Sequence, residues 1–342
     1  MNKKNEGSGY LPKILCIALI FVVGLLCISS AQGSIGDLLT AGSTDAQATL
    51  PVNIPTVRPT LTPTPTPTAS NSQSTSGGSI PTPSPTATSG TSLGQLVHNG
   101  TAEEIAHHTD SELEFIITRV TRENLVYYAV EIALTSPYQL LTAFAGNRIT
   151  NRDYTSSIAE SNNALLAING DFCGYNSNGI IIRNGILYRD TASSRSMLIY
   201  DGNGNFSFMP EEGASGQAVL DAGAFHTFSF GPVLVENGQP TSDEVIEAHF
   251  LSHRVREPRT AIGQLGPLHY LILVVDGRQE SSQGMLFSEL QQTFVDYGVI
   301  SAYNLDGGGS ATLYYNGEVI NSPCVEGERQ VSDIIFFKGA QS

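Results

Sequence analysis

Basic residues are scarce in this sequence of 342 residues: 17 Lys and Arg stand against 32 Asp and Glu, and after Lys13 the only lysine is Lys338. Setting aside Lys3, Lys4, Lys13, Arg58, Glu6, Asp37 and Asp45 leaves 13 bases and 29 acids from Leu93 onward, a net charge near −16. A surface that acidic has no broad positive field for nucleic acid or another polyanion, which excludes that class of partner. An anionic ligand would have to be met locally, by arginines or backbone amides. Cysteine is nearly as sparse. Cys16 and Cys27 lie in an apolar run, and Cys173 and Cys324 belong to no CxxC pair, so a structural zinc site is not expected. In an oxidising compartment Cys173 and Cys324 can pair, a link worth up to ~5 kcal/mol, or stay as two thiols; both readings are open.

Only one long apolar run is present, from Ile14 to Ile28. It is long for a signal-peptide core and slightly short of the roughly 20 residues that span a bilayer. A cleaved signal and an uncleaved anchor, over residues 14–31, therefore both fit. Leu26 before Cys27 argues against a lipoprotein signal, which wants a small residue there. Because Lys3, Lys4 and Lys13 precede the run, everything after it is expected outside the cytoplasm. Residues 32–92 are rich in Thr, Pro and Ser, with LTPTPTPTAS and IPTPSPTATSG as the most repetitive pieces. Such a composition buries too little apolar surface to fold and predicts an extended stalk.

Residues 93–342 read as the folded domain, with short strands punctuated by glycine turns and no internal repeat. Leu113–Val120 and Asn124–Leu134 predict a hairpin, Tyr154–Asn163 a short helix, and Ala164–Asn169 a buried strand. Ile180–Tyr200 predicts a meander turning at Asn184-Gly185, with further strands around Phe206, Val219, Phe228 and Val233. Thr260–Gln264 and His269–Val275 pair around Gly266-Pro267. Met285, Leu286, Leu290, Phe294 and Tyr297 recur at helical spacing, with Ser282 as cap and Gly298 as stop. LILVVDG, this helix and ISAYNLD make a βαβ unit. The expectation is an α+β domain: a strand-rich mixed sheet with a few helices.

NLDGGGSATLYYNGE, from Asn304 to Glu318, holds the densest cluster of candidate site residues. A phosphate-binding Walker loop needs a lysine that is missing here, and a dinucleotide loop needs a following helix where TLYY stands. A nucleophile elbow needs a glycine where Thr312 sits. What remains is a loop whose Gly307, Gly308 and Gly309 let amides approach a ligand, bracketed by Asp306, Ser310 and Thr312. Other polar strand ends are INGDFCGYNSNG with Asn169 and Asp171, REPRTAIG with Arg259, and VVDGRQESSQG with Asp276 and Arg278. His249 and His253 share the i, i+4 spacing of helical metal ligands, but no glutamate follows His249, and His107-His108 lies near the domain edge.

Taken in order, NGDF (169–172), EPRTAIG (257–263), DGR with SSQG (276–284), NLDGGGSAT (304–312) and ERQVSDIIFF (328–337) resemble the phosphodiester glycosidase family. The likeness covers most of the domain. Three positions depart from the family pattern: Glu257 stands where a histidine is frequent, Cys173 where an aromatic is common, and Gln330 where a proline is common. The resemblance implies a hydrolase that frees a sugar from a sugar-1-phosphodiester, with no cofactor and with any metal left open. It implies Asp171, Asp276 and Asp306 as candidate catalytic carboxylates, and Arg259, Arg278 and the Gly307–Gly309 amides around the phosphate. Asn169, Ser310 and Thr312 would contact sugar hydroxyls, with Glu328 and Arg329 as an orienting ion pair. The competing expectation is a non-catalytic carbohydrate-binding module on a stalk.

Overall fold

The computed structural model describes residues 93–249, 254–324 and 327–340; the apolar run, the Thr/Pro-rich stretch and His253 lie outside them. Among the described residues no helix is long and apolar enough to cross a membrane.

The largest sheet has eight strands, in spatial order Thr101–Thr109, Leu113–Arg122, Leu125–Leu134, His269–Val275, Arg259–Gly266, Ser301–Asn304, Val233–Glu236 and Gln239–Pro240. Its two faces have separate cores. Alternation along Arg259–Gly266 sends Ala261 to one and Ile262 to the other, and LILVV is apolar throughout because both of its faces are buried. One face is covered by the helix Phe287–Asp296, which buries Phe287, Leu290 and Phe294. Against the other packs a sheet of five strands, Glu318–Val319, Leu313–Tyr315, Leu166–Asn169, Asp333–Phe337 and Leu141–Phe144. The short helix Thr155–Ser161 closes the far side of that second sheet through Ile158 and Ala159. This is an α+β domain of stacked layers.

Every strand pairing among the described residues is antiparallel, which corrects the expected mixed sheet. His269–Val275 and Ser301–Asn304 do run the same way around the helix, but Arg259–Gly266 lies between them and opposes both. The helix also begins later than its apolar spacing suggests. Ser282 is occupied elsewhere, accepting from Val126 N at 3.0 Å and donating to Asp276 O at 2.6 Å, while Glu289 caps the helix through Leu286 N at 2.9 Å. Val219 lies in a helix, Gly216–Asp221, because Ser215 accepts from Ala218 N and caps it. Asn184 and Gly185 both have positive φ, as a two-residue hairpin turn requires. Thr101–Thr109 is an edge strand whose first five residues are all exposed, so it has no apolar alternation to betray it.

Candidate active site

The polar motifs meet at the ends of the strands because glycines let their backbones touch. A Cβ on Gly277 would sit 2.7 Å from Pro258 N, one on Gly284 2.4 Å from Glu257 C, and one on Gly307 2.6 Å from Pro258 O. The glycines of DGR, SSQG and DGGG thus all close on the Glu-Pro of EPR. The NGDFCG segment is seated the same way: a Cβ on Gly170 would strike the Asp333 carboxylate, and one on Gly174 the Ile149 carbonyl and Ser332. Gly308 N donates to Pro258 O at 2.9 Å and Asp306 N to Gly170 O at 3.2 Å, stitching the glycine loop to both neighbours.

A cavity of about 550 Å³ opens beside this junction, lined by Tyr154, Arg278, Gly309, Cys324, Glu328 and Arg329 among others. Two guanidinium groups flank the glycine loop there. A Cβ on Gly308 would lie 3.2 Å from Arg278 Nη2, and one on Gly309 3.4 Å from Arg329 Cδ. Arg278 has a positive φ of 59° and donates from Nε to Glu257 at 2.6 Å, a pairing that raises its pKa further. Arg329 donates from Nε to Ser310 Oγ at 2.8 Å and from Nη2 to Asp306 Oδ2 at 2.9 Å. Burial pushes the Asp306 carboxyl above its usual range, and its contacts with Ser310 and Arg329 oppose that shift.

The remaining expected site residues are engaged elsewhere. Arg259 shares the face of Ala261, so its side chain turns to the helix: the guanidinium lies 3.8 Å over the Phe287 ring and donates to Met285 O and Val255 O. Burial lowers its pKa to about 10. Its backbone borders the glycine loop while its charge does not. Asn169 is fully buried, and its amide donates to Asp306 O at 2.6 Å and accepts from Thr260 Oγ1 at 2.8 Å, so it braces the loop where a sugar contact was expected. Thr312 is likewise buried, with its N–H donating to Asn169 Oδ1 at 3.3 Å and its hydroxyl without a hydrogen-bond partner. Glu328 is not paired with Arg329; its carboxylate accepts from Ser156 N at 3.0 Å and Ser156 Oγ at 2.5 Å.

Asp276 ends its strand with Oδ1 accepting from Asn321 Nδ2 and Ser322 N, each at 3.0 Å, and burial raises its pKa to about 6. It therefore holds the segment leading to Cys324 on the cavity wall. Asp171 is buried completely. Its Oδ2 accepts from Ser229 N at 2.8 Å, and its Oδ1 makes a charge contact of 3.0 Å with Arg183 Nη2. The same nitrogen reaches Asp333 Oδ2 at 2.9 Å. Asp171, Cys173 and Asp333 have donor atoms within 4.8 Å of one another, the spacing of a metal site, but the Arg183 guanidinium already supplies the cation. Cys173 and Cys324 are both free thiols. Cys173 is enclosed beside Ser332 and its thiol is pushed upward by burial, whereas Cys324 lies on the cavity wall. Sequence reasoning missed Arg183, Asp333, Ser156 and Asn321, none of which sits in a glycine-rich motif.

The family model for phosphodiester glycosidase matches residues 162–338. A relative from Bacillus subtilis (strain 168), the SPbeta prophage-derived uncharacterized protein YomE, is 28% identical over 238 residues, 65% of this chain. The chain spans 36% of that relative's length. Among solved structures, the catalytic domain of zebrafish N-acetylglucosamine-1-phosphodiester alpha-N-acetylglucosaminidase, auto-inhibited by its pro-peptide, is similar at TM-score 0.56 and 21% identity, over 70% of this chain and 88% of that one. A hypothetical protein from Synechocystis is similar at TM-score 0.52 and 14% identity, over 66% of this chain and 62% of that one. At these identities the structural likenesses show a common fold.

Proposed function

The chain belongs to the phosphodiester glycosidase family, and from that membership we propose that it hydrolyses a sugar-1-phosphodiester, freeing the sugar from the phosphate. The observation that carries the reading is the pair of guanidinium groups, Arg278 and Arg329, packed on consecutive glycines at one cavity wall. Breaking the bond between the anomeric carbon and the phosphate oxygen leaves negative charge on the phosphate and positive character on the sugar. Arg278 and Arg329 suit the first, since a planar guanidinium meets two phosphate oxygens at once. Asp306 suits the second, as the carboxylate that stabilises or attacks the anomeric carbon or activates the water that ends up on it. Asp171 and Asp276 serve by holding the loops. The substrate would be a surface glycan or glycoconjugate, met by a domain that an anchor or signal over residues 14–31 delivers outside the cytoplasm, on the stalk of residues 32–92.

A second reading, a non-catalytic carbohydrate-binding module, is favoured by the internal engagement of Asp171 and Asp276, which leaves Asp306 as the candidate carboxylate joined to a cavity arginine. Release of sugar from a UDP-linked or chromogenic glycosyl phosphodiester separates the two. Turnover that falls by orders of magnitude in Asp306→Asn supports hydrolysis. Tight binding of the same compound with no turnover by the wild-type protein supports the module.

A further inference from the structure

Phe172 is a bulky residue held at a φ of 67°, in the left-handed region that such side chains rarely adopt. It follows Asp171, whose carboxylate is fixed by Ser229 N and Arg183, and it precedes Gly174, which the Ile149 carbonyl and Ser332 confine. The backbone is therefore over-determined on both sides, and strain of this kind concentrates at functional positions. What the strain achieves is visible in the side chain. The Phe172 ring lies on Tyr175 with centroids 4.0 Å apart and planes 4° from parallel. Arg152 lies 3.7 Å over the same tyrosine ring. One ring face cannot hold both at stacking distance, so Tyr175 is sandwiched and the opposite face of Phe172 is turned away from the stack. Phe230 meets Phe172 edge-on at 6.4 Å. Phe172 is half-buried rather than drawn into a core.

The stack is tied to the candidate site at two points. Tyr175 OH donates to Gln330 O at 2.8 Å, next in the chain to Arg329. Gly170 O, two residues before Phe172, accepts from Asp306 N. The aromatic layer is thus bonded to the segments that carry Asp306 and Arg329.

Resting on the phosphodiester glycosidase reading above, we propose that the outer face of Phe172 is the stacking platform for a pyranose ring of the substrate, backed by Tyr175 and Arg152. One face of a pyranose is a patch of C–H groups, and a flat aromatic surface excludes water from it while leaving the hydroxyls free for hydrogen bonds.

The test uses the full chain with Phe172→Ala, Phe172→Gly and Phe172→Tyr. For hydrolysis of an N-acetylglucosamine-1-phosphodiester, Phe172→Ala and Phe172→Gly raise KM at least tenfold with kcat within about threefold, and Phe172→Tyr restores KM. Inhibition by inorganic phosphate, which has no ring to stack, is the same in all four proteins. Because glycine adopts this φ freely, Phe172→Gly keeps the loop in place if Phe172→Ala shifts it. An unchanged KM in both truncations overturns the platform, and so does phosphate inhibition that weakens in step with KM. If the wild-type protein turns over no sugar phosphodiester, calorimetric titration still decides. N-acetylglucosamine-1-phosphate must then bind more tightly than inorganic phosphate, and Phe172→Gly must remove that advantage. Equal binding of the two ligands by the wild-type protein overturns the platform.

Discussion

Asp306 and Arg329 are separated by 22 residues of chain yet share a hydrogen bond of 2.9 Å, and the same guanidinium also holds Ser310. The arginine aims a buried carboxylate and opposes the upward shift that burial imposes on it, while its half-exposed outer side remains at the cavity. Arg329→Ala is expected to lower kcat/KM on a glycosyl phosphodiester by at least a hundredfold. Arg329→Lys should recover little, because an ammonium cannot hold Ser310 and Asp306 in one planar fork. Steady-state kinetics check this; full activity in the lysine variant would contradict it.

Arg259 predicts the opposite pattern. Its charge is on the helix side of the sheet, over Phe287, with bonds to the Met285 and Val255 carbonyls. Arg259→Ala is expected to destabilise the protein by about 1–3 kcal/mol through the lost cation–π contact and hydrogen bonds. Once corrected for folded fraction, kcat/KM should change less than tenfold. Denaturant unfolding alongside kinetics would settle it, and a large kinetic loss in a fully stable variant would return Arg259 to the phosphate.

Asp276 carries a pH signature. Its carboxyl titrates near pH 6 in the fold, above its ordinary 3.8, because burial disfavours the charged form. The folded state therefore holds a proton that the unfolded state has already released. This group's contribution to stability is complete below about pH 4 and is lost as the pH rises through 6. Asp276→Asn, whose carbonyl oxygen can still accept from Asn321 and Ser322, should flatten the stability profile across that window and raise stability at pH 7 by up to about 3 kcal/mol. Thermal unfolding from pH 4 to 7 measures it; an unaltered slope would rule it out.

The two cysteines of the domain should behave independently. Iodoacetamide applied to the native protein is expected to label Cys324 on the cavity wall and leave Cys173 unlabelled until the protein unfolds, as peptide mapping would read out. Reductant should leave the melting temperature unchanged. A peptide cross-linked through these two residues would disprove the assignment.

Much of the architecture was legible because it follows from local rules. The Leu113–Leu134 hairpin, the turn at Asn184-Gly185 and the stop of the helix Phe287–Asp296 just before Gly298 each carry their own chemistry in a few consecutive residues. The glycine motifs were legible as a set, and their convergence on Glu257 and Pro258 accounts for their number. Side-chain direction was harder to read. Arg259 and Thr260 are neighbours on one strand, and a single step of alternation decides which of them meets Asn169 and which meets Phe287. Sequence could not supply that step without knowing which face of the sheet the second sheet covers. Arg183 and Asp333 were invisible for a related reason: their partnership closes over 150 residues of chain, Arg183 lies in no motif, and ERQVSDIIFF drew attention to Glu328 and Arg329 rather than to Asp333.

Three glycines from two segments close on one Glu-Pro dipeptide, and this sets how the site can be transplanted or varied. The DGGGS loop makes one tight turn of its own, Gly308–Ser310, but its seat is made by other segments. Its placement is set by the backbones of residues 258 and 170, and Arg278 and Arg329 pack on the glycines so placed. Recombination between related chains should therefore yield working proteins when the 170, 257–258, 277–284 and 307–309 segments come from one parent, and failures when they are mixed. The unit of inheritance for this site is the whole set of contacts.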